Sequence, residues 1–324
     1  MKNYKIKLKV LFKLLNLIKK TKPYFAIFIL HELFRNLYPE DKYLYFTEKN
    51  HEKKILKKID ELIKLLIILK NIKTYKKEFY LVNSTKNLFY RNHEVFSKIF
   101  TREIFQKENK KYLLNLKKLG LEKKYFKDKM ILDAGTGTGR HSYLMSKFSP
   151  KKIVAIDNKL TIRKNLNFKF PKNIFFMEGN VQRTKFKNST FDFINCYGVL
   201  HHTKNIEKGI KELLRILKKN GYLFLYIYGS GGIYWEVRKK MNKFFKNIPQ
   251  DYTSNFFKIM NVPKRRLIFE DCWYAPIEIY TSKNKLEKIL NKQKIQGFKK
   301  LKEEYVEKNK SIWGDGELKY LVKK

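Results

Sequence analysis

The chain has 324 residues, 43% of them hydrophobic and 15% aromatic, with 73 Lys and Arg against 30 Asp and Glu. That apolar content supports a packed core and excludes a disordered chain. The formal net charge of +43 has two readings. One is a polyanionic partner, nucleic acid or an anionic membrane surface. The other is plain composition, because Lys is spread along the whole chain beside plentiful Asn, Ile, Phe and Tyr.

The first twenty residues, "MKNYKIKLKVLFKLLNLIKK", are basic. Lys13 and Asn16 interrupt the apolar run and no small-residue cleavage site follows, so a signal peptide is not expected. "YFAIFIL" (24–30) is too short to span a bilayer. Residues 1 to about 127 predict helices. Leu8, Leu11, Phe12, Leu15 and Ile18 fall on one helical face, with Lys9, Lys13, Asn16 and Lys20 on the other. Ile55, Ile59, Leu62, Leu66 and Leu69 repeat the pattern. Core packing explains both stripes; the rival is a basic amphipathic helix in peripheral contact with a membrane.

From 128 onward short apolar runs alternate with helical periods. "MILD" (130–133), "KIVAID" (152–157), "NIFFMEGN" (173–180), "FDFINCYG" (191–198) and "YLFLYIY" (222–228) predict strands. His141, Leu144, Met145 and Phe148 mark a helix after the first strand. Ile206, Ile210, Leu213, Leu214 and Leu217 mark another, closed by Asn220-Gly221 as a left-handed cap. Strands alternating with helices predict an α/β fold, a doubly wound, mostly parallel sheet. Cys196 and Cys272 are the only cysteines. Two are too few for a disulfide framework or a metal cluster, which fits a cytoplasmic chain without a bound metal.

"ILDAGTGTGRHS" (131–142) follows the first strand and opens the next helix. Gly135, Gly137 and Gly139 leave the backbone bare, so a ligand can approach it closely. The spacing is neither G-x-G-x-x-G nor a P-loop, since no Gly-Lys-Ser/Thr follows. Asp157 ends the next strand. Strand ends line the ligand crevice of an open parallel sheet, and a carboxylate there can accept both hydroxyls of a ribose.

These stretches, with "EGN" and "FDFINCYGVLHHTKNIEKGIKELLRILKKNGYLFLYIYG", resemble the class I S-adenosylmethionine-dependent methyltransferases over about 128–324. The resemblance implies a Rossmann-like sheet of seven strands, the last antiparallel and formed by "WGDGELKYLVKK". The α-helical N-terminal region at 1–127 lies outside it, and because the recognisable cofactor residues all follow, it is expected to serve as a lid or partner surface. The resemblance implies a substrate-covering insertion at about 229–280. It also implies that the glycine loop passes under the methionine and ribose of the cofactor. Asp133 would orient the loop or the methionine amine, Asp157 would hold the ribose, Asn158 would flank the adenine and Asn180 would accept from its amino group. The segment 93–103 is similar to one that precedes the core in some relatives.

For a hydroxyl or acidic-carbon acceptor a base helps the transfer. Asn195, Tyr197, His201 and His202 are the candidates after the fourth strand, and Asn195 is also grouped with the cofactor residues. The histidine pair has a second reading, capping and packing the helix that follows, which is expected to begin around Lys204. "GVLHHTKNIEKGIKELLRILKKNGYL" is similar to the branch that methylates small molecules such as quinones, lipids and sugars, so a small-molecule acceptor is the leading expectation. Methylation of tRNA or rRNA is the first alternative. A non-catalytic protein that keeps the fold is the second.

Overall fold

The computed structural model describes residues 3–37, 51–71, 102–158, 170–245, 248, 253 and 273–324. Most of 93–103, Cys272 and most of the insertion between 246 and 272 lie outside the described residues.

Two compact units divide the chain: Met1–Lys86 with Ser230–Tyr274 and Glu303–Gly316, and Asn87–Gly229 with Ala275–Lys302 and Glu317–Lys324. The first is helical. It holds α1 (Asn3–Ile18), α2 (Pro23–Leu37) and α3 (His51–Asn71). The Leu8–Ile18 and Ile55–Leu69 stripes are buried, and α1 packs on α3. Protein therefore covers the stripes that the membrane reading required to be open. Among the described residues no helix is long and apolar enough to cross a membrane.

The second unit begins, among its described elements, with α4 (Arg102–Lys118). Then come β1 (Met130–Ala134), α5 (Arg140–Ser146), β2 (Lys152–Asp157), β3 (Ile174–Glu178) and β4 (Phe191–Tyr197). They are followed by a single turn at Leu200–His202, α6 (Ile206–Ile216) and β5 (Leu217–Tyr228). The helix α7 (Gly232–Phe245) belongs to the first unit. Back in the second lie α8 (Lys283–Asn291), β6 (Gly297–Lys300) and β7 (Glu317–Lys323).

The seven strands run in the order β3-β2-β1-β4-β5-β7-β6. β1 to β5 pair in parallel, and β7 runs antiparallel to β5 and β6. Alternate side chains feed two cores. Leu132, Val154, Ile194, Leu225 and Tyr320 join one cluster; Ile131, Ile153, Phe193, Phe224 and Leu321 join the other. The strand order reverses between β1 and β4, so the crevice of a doubly wound sheet opens where those two strands end.

One boundary differs from expectation. α6 stops at Ile216, and Leu217 already has extended backbone. Leu217 is fully buried and pairs with Phe191, so sheet pairing captures the residue that helical periodicity assigned to α6. Asn220, not Gly221, takes the positive φ, at 62°. Gly221 is small for a different reason: a Cβ there would stand 2.8 Å from the Asp192 carbonyl oxygen.

Candidate active site

The crevice begins with a buried polar network behind the glycine turn. Asp133, on β1, is 1% exposed and sits in register with Asn195 on β4. Its Oδ1 accepts from Asn195 Nδ2 at 2.7 Å, and its Oδ2 accepts from Thr136 Oγ1 at 2.9 Å and Ser142 Oγ at 2.6 Å. Burial pushes the Asp133 carboxyl up, and the donors from Ser142, Asn195 and Thr136 pull it back down. Thr136 lies inside the turn and Ser142 in the first turns of α5, so one carboxylate ties both ends of the loop to the sheet.

The turn itself is left-handed at all three glycines, with φ of 79° at Gly135, 52° at Gly137 and 74° at Gly139. Side chains avoid that region. Gly135 N–H and Thr136 N–H both donate to the Ile156 carbonyl, at 2.8 and 2.9 Å. Gly137 N–H donates to Asp157 Oδ2 at 2.9 Å, while Asp157 Oδ1 accepts from Asn158 N–H at 2.8 Å. Thus β2 positions the turn through its backbone and through its last side chain. Asp157 is partly buried and Asn158 is exposed. Asn180 is exposed just beyond β3, and its Oδ1 accepts from Gln182 N–H at 2.8 Å.

Asn195 lies deep, beside Asp133. It is 1% exposed, and Tyr112 Oη donates to its Oδ1 at 3.0 Å. Its Nδ2 stands 3.3 Å from His141 Nδ1. Tyr197 closes β4, packed against Tyr112, His141 and Tyr226 with ring centroids 5.9, 5.0 and 4.7 Å away. Burial raises its hydroxyl pKa.

The two histidines diverge. His201 is fully buried. Its ring stacks on Tyr228, and its Nδ1 accepts from the Tyr228 N–H at 3.2 Å. His202 is partly buried, and its Nδ1 lies 2.9 Å from the Ile277 carbonyl. A carbonyl only accepts, so His202 Nδ1 carries the proton and Nε2 is the basic nitrogen of the neutral ring. Neither histidine caps α6. Asn205 does, accepting from Lys208 N–H at 2.9 Å, and the helix starts at Ile206 rather than near Lys204.

Sequence reasoning missed Tyr112, Thr136, Ser142 and the Ile277 carbonyl. Tyr112 could not be singled out, since a tyrosine on an apolar helical face reads as core. Cys196 is buried, and burial pushes its thiol up.

A switch point between β1 and β4, a glycine turn held by two carboxylates and a late antiparallel strand define the class I methyltransferase architecture. Residues 132–225 match the family model described as a methyltransferase domain, and the chain carries a class I S-adenosylmethionine-dependent methyltransferase domain. It is similar to a tRNA U34 carboxymethyltransferase of Helicobacter pylori (strain P12), 33% identical over 106 residues, or 31% of this chain and 40% of that one. A Campylobacter curvus protein with the same name is 34% identical over 102 residues, covering 30% of this chain and 34% of its own. The chain thus spans less than half the length of these curated relatives. A solved SAM-dependent methyltransferase from Thermotoga maritima is 17% identical, with a TM-score of 0.45 over 74% of this chain and 99% of that one.

Proposed function

We propose that the chain transfers a one-carbon or related group from an S-adenosylmethionine-type donor to an RNA nucleotide, with a tRNA base as the acceptor. The observation that carries the acceptor is the similarity of the core to tRNA U34 carboxymethyltransferases; the net charge of +43 agrees with it. Both favour the RNA alternative over the small-molecule acceptor that led the sequence reading.

The residues fit the cofactor. The glycine turn is bare backbone, and an added Cβ would strike Val199 at Gly135 and stand 2.8 Å from Phe170 at Gly139. Such a cofactor supplies an activated carbon on a sulfonium, so the protein's task is to position the acceptor and exclude water. Asp157 keeps a lone pair on each oxygen for the ribose hydroxyls. Asn158 flanks the adenine, and Asn180 accepts from its amino group through the second lone pair of Oδ1. Asp133 and Asn195 act behind the loop. His202 takes the acceptor proton at Nε2, with Tyr197 and His201 shaping the wall beside it. The helical region serves as a lid or partner surface.

The test is transfer from isotopically labelled S-adenosylmethionine to bulk tRNA prepared from a strain lacking the gene. Label in the RNA, falling steeply with salt, supports the proposal, and the mass of the modified nucleoside identifies the group. Label confined to a small-molecule extract restores the metabolite acceptor. No binding of the cofactor leaves a non-catalytic fold.

A further inference from the structure

Tyr112 lies outside every recognisable motif, yet it reaches the centre of the site. It sits on α4, 3% exposed, and its ring stacks on His141 at 4.3 Å with 25° between planes. Its hydroxyl donates to Asn195 Oδ1, and burial raises its pKa well above the ordinary tyrosine value, so it stays a proton donor at any working pH. His141 is also kept neutral by burial. Its Nδ1 can then accept from Asn195.

The Asn195 amide is therefore specified atom by atom. Its oxygen receives Tyr112, one N–H goes to Asp133, and the other faces His141. A reversed amide would set a carbonyl oxygen against the Asp133 carboxylate, which only accepts, and lose that contact. Asp133 in turn holds Thr136 and Ser142.

We propose that Tyr112 is a positioning residue for the glycine turn: through Asn195 it fixes Asp133, and through Asp133 it sets the loop that receives the cofactor. The helix before the recognisable core is thereby part of the site. This rests on the cofactor reading above, but the loop can be examined without ligand.

The variant is Tyr112→Phe, which keeps the ring and its stack and removes only the hydroxyl. Hydrogen exchange of the ligand-free chain is the first readout. Peptides covering 135–142 should exchange severalfold faster, while those of β5 and β7 keep the wild-type rate. The second is calorimetric titration with S-adenosylmethionine, where loss of one buried hydrogen bond predicts roughly a threefold to tenfold weaker Kd. The third is the same change in an Asn195→Ala background, where it should add nothing further, because the path through Asn195 is already cut. Unchanged exchange at 135–142 overturns the proposal, as does a full additional loss of affinity in the double variant. Faster loop exchange in a chain whose wild type binds no S-adenosylmethionine supports the coupling of Tyr112 to the turn and overturns the cofactor reading instead.

Discussion

The Gly137 N–H donates to Asp157 Oδ2 at 2.9 Å, so the carboxylate that ends β2 clamps the middle of the glycine turn. The same side chain is the one proposed to meet the ribose. Loop geometry and ligand contact are thereby linked through a single residue, and neither can be altered alone.

Asp157→Ala should lower S-adenosylmethionine affinity tenfold or more. Hydrogen bonds to a charged group contribute about 1.5–3 kcal/mol each, and here the clamp on Gly137 goes with them. Asp157→Asn keeps one acceptor oxygen and should fall between the two. Calorimetric titration decides; an unchanged affinity in the alanine variant would remove Asp157 from the site.

Gly135→Ala should destabilise the turn for two separable reasons. A φ of 79° costs a residue with a Cβ about 1–2 kcal/mol, and that Cβ would also collide with the γ carbons of Val199. Thermal melting should drop, and adding Val199→Ala should recover the steric share while leaving the backbone share. A double variant no more stable than Gly135→Ala alone would show that Val199 is not what crowds the position.

How far the sequence speaks is visible in these residues. The glycines and Asp157 were legible because a bare turn after an apolar run and an acid at a strand end are local patterns. The β-strands were legible for the same reason, in short apolar runs between turn signals. Tyr112 and Ile277 were not, since a hydroxyl on a helix 83 positions from Asn195 and a carbonyl 75 positions from His202 meet their partners only when the sheet is assembled. Leu217 was misplaced because helical periodicity continued one residue past the point where pairing with Phe191 takes over.

Acid should destabilise the fold through His141. Burial first, then the nearby Arg140, holds its pKa well below the ordinary 6.5. Between that depressed value and 6.5 the unfolded chain binds more protons, so the contribution is full above about pH 6.5 and is lost as pH falls below it. Asp133, raised above 3.8, acts in the opposite sense at the acid end: stability falls as pH rises through its shifted range. His141→Phe removes the histidine's titration and keeps a ring against Tyr112. Its melting temperature should vary less than the wild type's between about pH 7 and about pH 5. Parallel profiles would show that His141 titrates normally in the folded chain.

The last prediction separates the two histidines by their hydrogen bonds. His201 Nδ1 accepts from the Tyr228 N–H while the ring is fully buried on the Tyr228 side chain, so its proton resides on Nε2 and its setting is that of a packed core group. In His202 the Nδ1–H donates to the Ile277 carbonyl, which makes Nε2 the basic nitrogen of that tautomer. His201→Ala should therefore act first on stability: truncating a buried aromatic ring costs about 3–5 kcal/mol in well-packed cores. His202→Ala should act on turnover, lowering it about 10²–10⁴-fold if Nε2 serves as the base, with cofactor affinity within a few-fold of wild type. The helix that follows is capped by Asn205, so loss of a cap would not explain a fall in turnover. Single-turnover assays on the proposed RNA acceptor, run beside thermal melts of both variants, read the two effects independently. A His202→Ala enzyme with normal turnover would take the base away from His202 and leave Tyr197, at the end of β4, as the next group to substitute.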